Sequence, residues 1–327
     1  KTEKGGASTD EETLRVLSLR HPVAAKVMDY RELSKLQSTY VEGLLARVDP
    51  GTRRVHTHFN QTGTETGRLS SLDPNLQNIP VRTPLGRKIR RAFTAAEGCV
   101  LLSADYSQIE LRVLAHISGD LELRRAFESG EDVHQRTASE VFGVPASGVS
   151  KEMRRRAKAV NFGIVYGQTA HGLSIQLGIP FAEARDTIAR YFARYRGVEA
   201  WIKANLESAR GEGVVRTLYG RMRRLPDLAA KNRKLLGLAE RAAGNTPIQG
   251  SAADLIKAAM IRVFRGMEGP SRLVLQVHDE LLFELPESEV PVFAPWVRTQ
   301  MEEAVRLDVP IVVDLKAGKN WQDMEPL

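Results

Sequence analysis

Cysteine is almost absent from this chain, Cys99 being the only one. Neither an internal disulfide nor a cysteine-based zinc cluster is possible, and a lone thiol is most simply a small buried hydrophobe, in keeping with a reducing cytoplasm. Long apolar runs are missing too. Stretches such as 99–102 and 281–283 are far shorter than the roughly 20 residues of a membrane span, and the N-terminus lacks the apolar core of a signal peptide. A soluble, cytoplasmic protein with no membrane partner is expected. The chain opens on Lys1 with no initiating Met, so a fragment with upstream domains missing is expected. No segment signals oligomerisation, which leaves a monomer as the expectation.

What is present is enough for a substantial core. With 327 residues, 42% of them hydrophobic, the chain has the size of two domains or one large lobed unit. Lys and Arg outnumber Asp and Glu by 47 to 40, a balance that favours a polyanionic partner.

Two aspartates organise the rest. Asp105 ends the apolar run in VLLSADYSQIELR, and Asp279 lies between two in LVLQVHDELLFEL. A carboxylate at the end of a buried strand is costly unless a cation meets it, so two such sites suggest a shared metal pair. Cys99 to Ala104 reads as a strand. Ser107 and Glu110 then have the S-x-x-E form of a capping box, which places Asp105 at a strand-to-helix junction and gives Glu110 two competing roles, cap or site. Near the C-terminus, 273–277 and 281–285 read as a hairpin with His278-Asp279-Glu280 at its tip and no Asn-Gly or Asp-Gly to ease the turn. If that hairpin lies beside the first strand, Asp279 meets Asp105.

Between these stretches, VSKEMRRRAKAVNFGIVYG (149–167) follows an N-cap at Ser150 and spaces Arg154, Lys158, Phe162 and Tyr166 four apart. In a helix these form a slanting stripe, with about 12 Å of rise from Arg154 to Phe162, roughly the length of a triphosphate and its sugar. Such a stripe suits a nucleotide, and it also suits a basic turn leading into a core helix. Gly163 and Gly167 would let the helix bend. The polar tract 56–83, with Arg68, Asn75, Gln77 and Asn78, reads either as solvated turns or as a track along a nucleic-acid groove. The basic run from Arg216 to Arg241 is either a solvated face or a phosphate contact. A helix is expected to begin near Pro247 and continue to Phe264, with Asn245 and Gln249 near its start.

Taken in order, TGRLSSLDPNLQNIP, DYSQIELR, RRRAKAVNFGIVYG and QVHDE resemble the motifs of the family A DNA polymerases, most of all the bacterial members, and the likeness runs from about Lys1 to the end. It implies an α+β right-hand architecture with an antiparallel palm sheet and mainly helical fingers. Residues 1–35 would end a truncated thumb, 36–112 and 244–327 would form the palm, and 113–243 the fingers. Upstream nuclease domains are absent from such a piece, so nuclease activity is not expected of it.

By the same resemblance, Asp105, Asp279 and the Tyr106 backbone carbonyl would hold two Mg2+ ions, with Mn2+ able to substitute, and Glu280 would support them. Arg154, Lys158, His134 and Gln108 would hold the triphosphate, with Lys158 as acid for the leaving pyrophosphate. Phe162 would stack on the incoming deoxynucleotide, Tyr166 would occupy the insertion site, and Glu110 would exclude a 2′-hydroxyl. Arg68, Asn75, Gln77, Asn78, Asn245, Gln249 and His278 would contact primer-template DNA. The implied activity is template-directed DNA synthesis from deoxynucleoside triphosphates in a bacterial, nucleoid-associated enzyme. The alternatives are a single-subunit RNA polymerase, a non-catalytic primer-template-binding module and a metal-dependent nuclease.

Overall fold

The computed structural model describes residues 8–81 and 83–327, which divide into two compact units. The first takes in residues up to Asn60, Ser70–Thr94 and Asn320–Asp323; the second takes in Gln61–Leu69, Ala95–Lys319 and Met324–Leu327.

In the first unit, α1 (Glu11–Ser18) starts at Asp10, whose carboxylate accepts from the Thr13 N–H at 2.7 Å, the N-cap that its sequence position suggests. Helix α2 (Pro22–Lys35) opens on a proline, whose missing N–H would have no helical partner there anyway. It runs on through a π-helical stretch, Leu36–Glu42, into the short α3 (Gly43–Leu45). The polar tract beyond forms only an antiparallel pair, β1 (His58–Asn60) with β2 (Ser70–Leu72), before α4 (Pro84–Arg91). Trp321 is buried here between the edge of Phe93 and the Arg90 guanidinium, 4.1 Å above its ring.

The second unit is built on a five-stranded antiparallel sheet. Its order is β6 (Arg272–Val277), β7 (Glu280–Pro286), β3 (Cys99–Tyr106), β8 (Val313–Gly318) and β9 (Glu325–Pro326). Side chains alternate across a strand. On β3, therefore, Val100, Leu102, Ala104 and Tyr106 join Phe283, Leu285, Val313 and Leu315 in one apolar core, while Ser103 and Asp105 point to the opposite face. The same core takes in residues of α5 (Ile109–Ser118), α12 (Arg233–Gly266) and α13 (Val290–Glu302). Between α5 and α12 come α6 (Leu121–Glu128), α7 (Val133–Phe142), α8 (Lys151–Val165), α9 (Ala170–Leu177), α10 (Phe181–Arg194) and α11 (Arg196–Glu212). The hairpin β4 (Val214–Arg216) and β5 (Met222–Arg224) follows them. Tyr191 and Tyr195 are fully buried with ring centroids 4.7 Å apart.

Three local expectations give way. The helix expected from Pro247 begins at Arg233 and runs straight through that proline. Proline removes the bond to the carbonyl four residues back, and that acceptor, Ala243 O, takes a hydrogen bond from Asn205 Nδ2 of α11 at 2.9 Å instead. The expected capping box at Ser107 does not form: α5 begins at Ile109 behind Gln108, which is left-handed at φ 55°, and no side chain caps it. Gly163 does not end α8. The helix continues to Val165, and a Cβ at 163 would lie 2.4 Å from Gln168 Oε1, so glycine there permits close packing.

Candidate active site

Asp105 sits one residue from the end of β3, with Glu280 of β7 opposite it on one side and Asp314 of β8 on the other. Asp279 lies in the two-residue turn between β6 and β7, and its carbonyl accepts from the Tyr106 N–H at 3.1 Å. His278, also in that turn, is left-handed at φ 53°, a conformation that Gly, Asn or Asp adopts more readily. Turn chemistry has yielded at this tip, in line with the sequence expectation. Glu280 accepts from Ser103 Oγ at 2.7 Å.

The Asp105 carboxyl is pushed up to about 7, first by burial and then by Glu280, Asp279 and Asp314, with Lys316 opposing. Burial likewise raises Asp279, against the pull of Arg68. The Asp105 side chain is itself exposed to solvent, so its rise reflects protein and negative charge crowded around an open carboxylate and not enclosure. Among the described residues, no three His, Cys, Asp or Glu side chains converge as metal ligands. Two carboxylates nevertheless fit Mg2+, which uses one or two of them and completes its shell with water and substrate phosphates. The charge that raises Asp105 is what a divalent cation would relieve.

Near Asp279, Arg68 Nη2 donates to Glu110 Oε1 at 2.6 Å. Glu110 is 4% exposed, and its second oxygen has no partner among the described residues. Burial holds it above the usual carboxylate range, with Arg68 opposing and Asp279 adding to the rise. The Tyr166 hydroxyl lies near Glu110, and burial followed by the Glu110 charge pushes it up. Asp279, Arg68, Glu110 and Tyr166 thus share one electrostatic neighbourhood. Gln108 Oε1 is buried without a partner among the described residues.

The stripe on α8 exists. Ser150 caps the helix by accepting from the Met153 N–H at 3.1 Å. Arg154 donates to one oxygen of Asp132 at 2.8 and 2.6 Å. Lys158 Nζ lies 5.9 Å from the Phe162 ring centroid, and Phe162 stacks near Tyr166 at 6.4 Å. Arg155, one residue round the helix from Arg154, pairs with Glu152. His134 joins the stripe from α7, its ring 5.7 Å from Phe162. Asn161 Nδ2 donates to His134 Nδ1 at 2.9 Å, leaving Nε2 as the protonated donor of a neutral ring. Burial, helped by Lys158 and Arg154, lowers His134 to about 4, with Asp132 opposing.

A stability prediction follows from His134. Between pH 6.5 and about 4 an unfolded histidine binds a proton that the folded one refuses, so this residue's contribution is complete above the unfolded value and is lost as pH falls. The loss is up to about 3 kcal/mol. Urea unfolding at pH 7 and pH 4.5 is expected to show a smaller pH difference for His134→Gln than for the parent; equal differences would refute the assignment.

The remaining expected contacts are less closely grouped. Asn245 and Gln249 stand one turn apart on α12, both partly exposed, with Asn245 Oδ1 buried and unpartnered among the described residues, and His278 is exposed at the hairpin tip. Asn75, Gln77 and Asn78 belong to the first unit. There Asn75 Oδ1 accepts from the N–H groups of Gln77 and Asn78, and Gln77 Oε1 from that of Ser71, so two of the three brace their own loop. Within the basic run, Arg221 and Arg223 are engaged by Asp254 and Glu65. Sequence reasoning missed Asp132, Asn161 and Asp314. An Asp two residues before His134, and an acid within the alternating IVVDLKAG, were the available signals.

The DNA polymerase family A model matches residues 1–323. The chain is 52% identical to "DNA polymerase I, thermostable" of Thermus aquaticus over 323 residues, 98% of this chain and 39% of that protein. It is 49% identical to DNA polymerase I of Bacillus subtilis over 99% of this chain and 37% of that one. It therefore spans about two fifths of these curated relatives. The solved POL domain of Pol1 from M. smegmatis, in complex with DNA primer-template and dNTP, superposes with a TM-score of 0.92 at 46% identity, covering 98% of this chain and 57% of that one. No helix among the described residues is long and apolar enough to cross a membrane. With its α+β polymerase-domain fold and its four motifs in order, the chain belongs to DNA polymerase family A.

Proposed function

We propose that this chain carries out template-directed DNA synthesis, adding deoxynucleoside triphosphates to a primer 3′-hydroxyl with release of pyrophosphate. The observation that carries the reading is that Asp105 and Asp279, far apart in sequence, lie close enough to raise one another's charge cost, with the Arg68–Glu110 pair close to Asp279. The M. smegmatis neighbour, solved with primer-template and dNTP, supports the same partners here.

Asp105, Asp279 and the Tyr106 carbonyl would hold Mg2+, or Mn2+ in its place, which when bound lowers the cost of charge on the attacking and leaving oxygens. Glu280, oriented by Ser103, adds to the field that draws the cations in. Arg154, Lys158, Gln108 and neutral His134 grip the triphosphate, Arg154 exchanging Asp132 for it. Lys158 then gives a proton to the leaving pyrophosphate. Phe162 stacks on the nucleobase, Tyr166 fills the insertion site before the nucleotide arrives, and buried Glu110 leaves no room for a 2′-hydroxyl. Arg68, Asn75, Gln77, Asn78, Asn245, Gln249 and His278 contact the primer-template through acceptors common to all base pairs.

In this reading 36–112 and 244–327 work as palm, 113–243 as fingers and the first 35 residues as the end of a thumb, although residue 244 lies within α12. The enzyme is a nucleoid-associated monomer. Primer extension with four deoxynucleotides or four ribonucleotides tests the activity. Deoxynucleotide-only extension is expected; ribonucleotide extension would move the single-subunit RNA polymerase ahead, and binding without extension the non-catalytic module. Phe162→Tyr is expected to relax discrimination against dideoxynucleotides, read from termination ratios, and an unchanged ratio would remove Phe162 from the sugar pocket.

A further inference from the structure

Asp254 lies on α12, and its side chain is only 6% exposed. One of its oxygens accepts from Arg221 Nε at 2.9 Å and Nη2 at 2.5 Å, the other from Thr217 Oγ1 at 2.8 Å, and Lys257 Nζ stands 3.4 Å away. Both cations reach further. Lys257 Nζ donates to the carbonyl of Gly67 at 2.8 Å. The Arg221 guanidinium lies so close against Gly67 that a Cβ there would come within 2.6 Å of Nε. Gly67 is left-handed at φ 79°, and the next residue is Arg68, whose guanidinium pairs with Glu110. Thr64 closes the loop by donating to the Arg68 carbonyl at 2.7 Å.

We propose that Asp254 is a positioning residue for the sugar side of the nucleotide site, acting through Lys257 and Arg221 on the Gly67 backbone and so fixing where Arg68 meets Glu110. A buried carboxylate engaged by two cations and a hydroxyl holds those cations in one geometry, since each would otherwise follow solvent. With Asp254 neutral, Lys257 and Arg221 lose their common anchor, the 64–68 loop loosens, and Glu110 no longer faces a fixed guanidinium.

The proposal rests on the polymerase reading for its catalytic consequence and on geometry alone for its structural one, and the two are measured separately. Hydrogen exchange of the segment 62–69 is compared in the parent, Asp254→Asn and Lys257→Met; Lys257→Met keeps the buried Asp254–Arg221 pair in case Asp254→Asn folds poorly. Faster exchange in both variants is expected, and unchanged exchange overturns the proposal. In primer extension, the preference for deoxynucleotides over ribonucleotides is expected to drop roughly tenfold in both variants. On an Arg68→Ala background the same changes should have almost no further effect, because they act through Arg68. Lower thermal stability with an unchanged preference, or effects that add to Arg68→Ala, would reduce Asp254 to a fold-stabilising residue. If the parent extends no primer, the polymerase reading fails and the exchange data alone decide the positioning.

Discussion

Asp105→Asn and Asp279→Asn are each expected to lower primer extension by about a thousandfold or more while leaving primer-template binding within a few fold, the scale on which preorganised charge stabilisation at a reacting centre is lost. The loss is expected to come with a gain. In the metal-free protein the Asp105 carboxyl is raised to about 7 by burial and by Glu280, Asp279 and Asp314. An unfolded aspartate ionises near 3.8, so between those values the folded chain holds the extra proton, and stability falls as pH rises through about 7. Asparagine removes that penalty. At pH 8 with chelator, Asp105→Asn should therefore melt above the parent, and the difference should shrink toward pH 5. An active Asp105→Asn would refute the site. An inactive variant that melts below the parent at pH 8 would refute its electrostatic description. That pair of results would set activity against stability at one carboxylate, as happens where function holds a group in an unfavourable state.

Lys158→Ala is expected to lower kcat by about a hundred- to a thousandfold, the range for a lost general acid, and Lys158→Arg separates the two roles proposed for it. Arginine keeps the charge but does not release a proton near neutral pH. Lys158→Arg should hold the KM for the nucleotide within a few fold and still lose most of kcat, whereas Arg154→Ala, which removes the group now engaged by Asp132, should raise KM with a smaller effect on kcat. Single-turnover incorporation across nucleotide concentrations gives both constants. Full kcat in Lys158→Arg would reduce Lys158 to a phosphate contact.

The parts of this site legible in sequence are those set by local periodicity. Asp105 ends an alternating strand, Asp279 interrupts a hairpin, Ser150 caps a helix, and four-residue spacing puts Arg154, Lys158 and Phe162 on one face; the structure has each of these. What was not legible depends on partners distant in sequence. Ser107 and Glu110 have capping-box spacing, but Glu110 is engaged by Arg68, 42 residues away, and a charged hydrogen bond in a buried setting outweighs a helix cap. Pro247 signals a helix start only if the orphaned carbonyl has nowhere else to go, and Asn205 comes from another helix. The four residues of the polar tract assigned to DNA, Arg68, Asn75, Gln77 and Asn78, were read from residue type and from the family resemblance, yet Asn75 and Gln77 already have local backbone partners, which side-chain chemistry alone does not foretell.

The hydrogen bond from Asn205 to the Ala243 carbonyl has a mechanical consequence. Ala243 is fully buried, so sliding α11 along α12 would strand that oxygen away from water at a cost of about 1–3 kcal/mol. The tie works as a weld at the one point where proline has opened the long helix, and it makes α11 part of the frame.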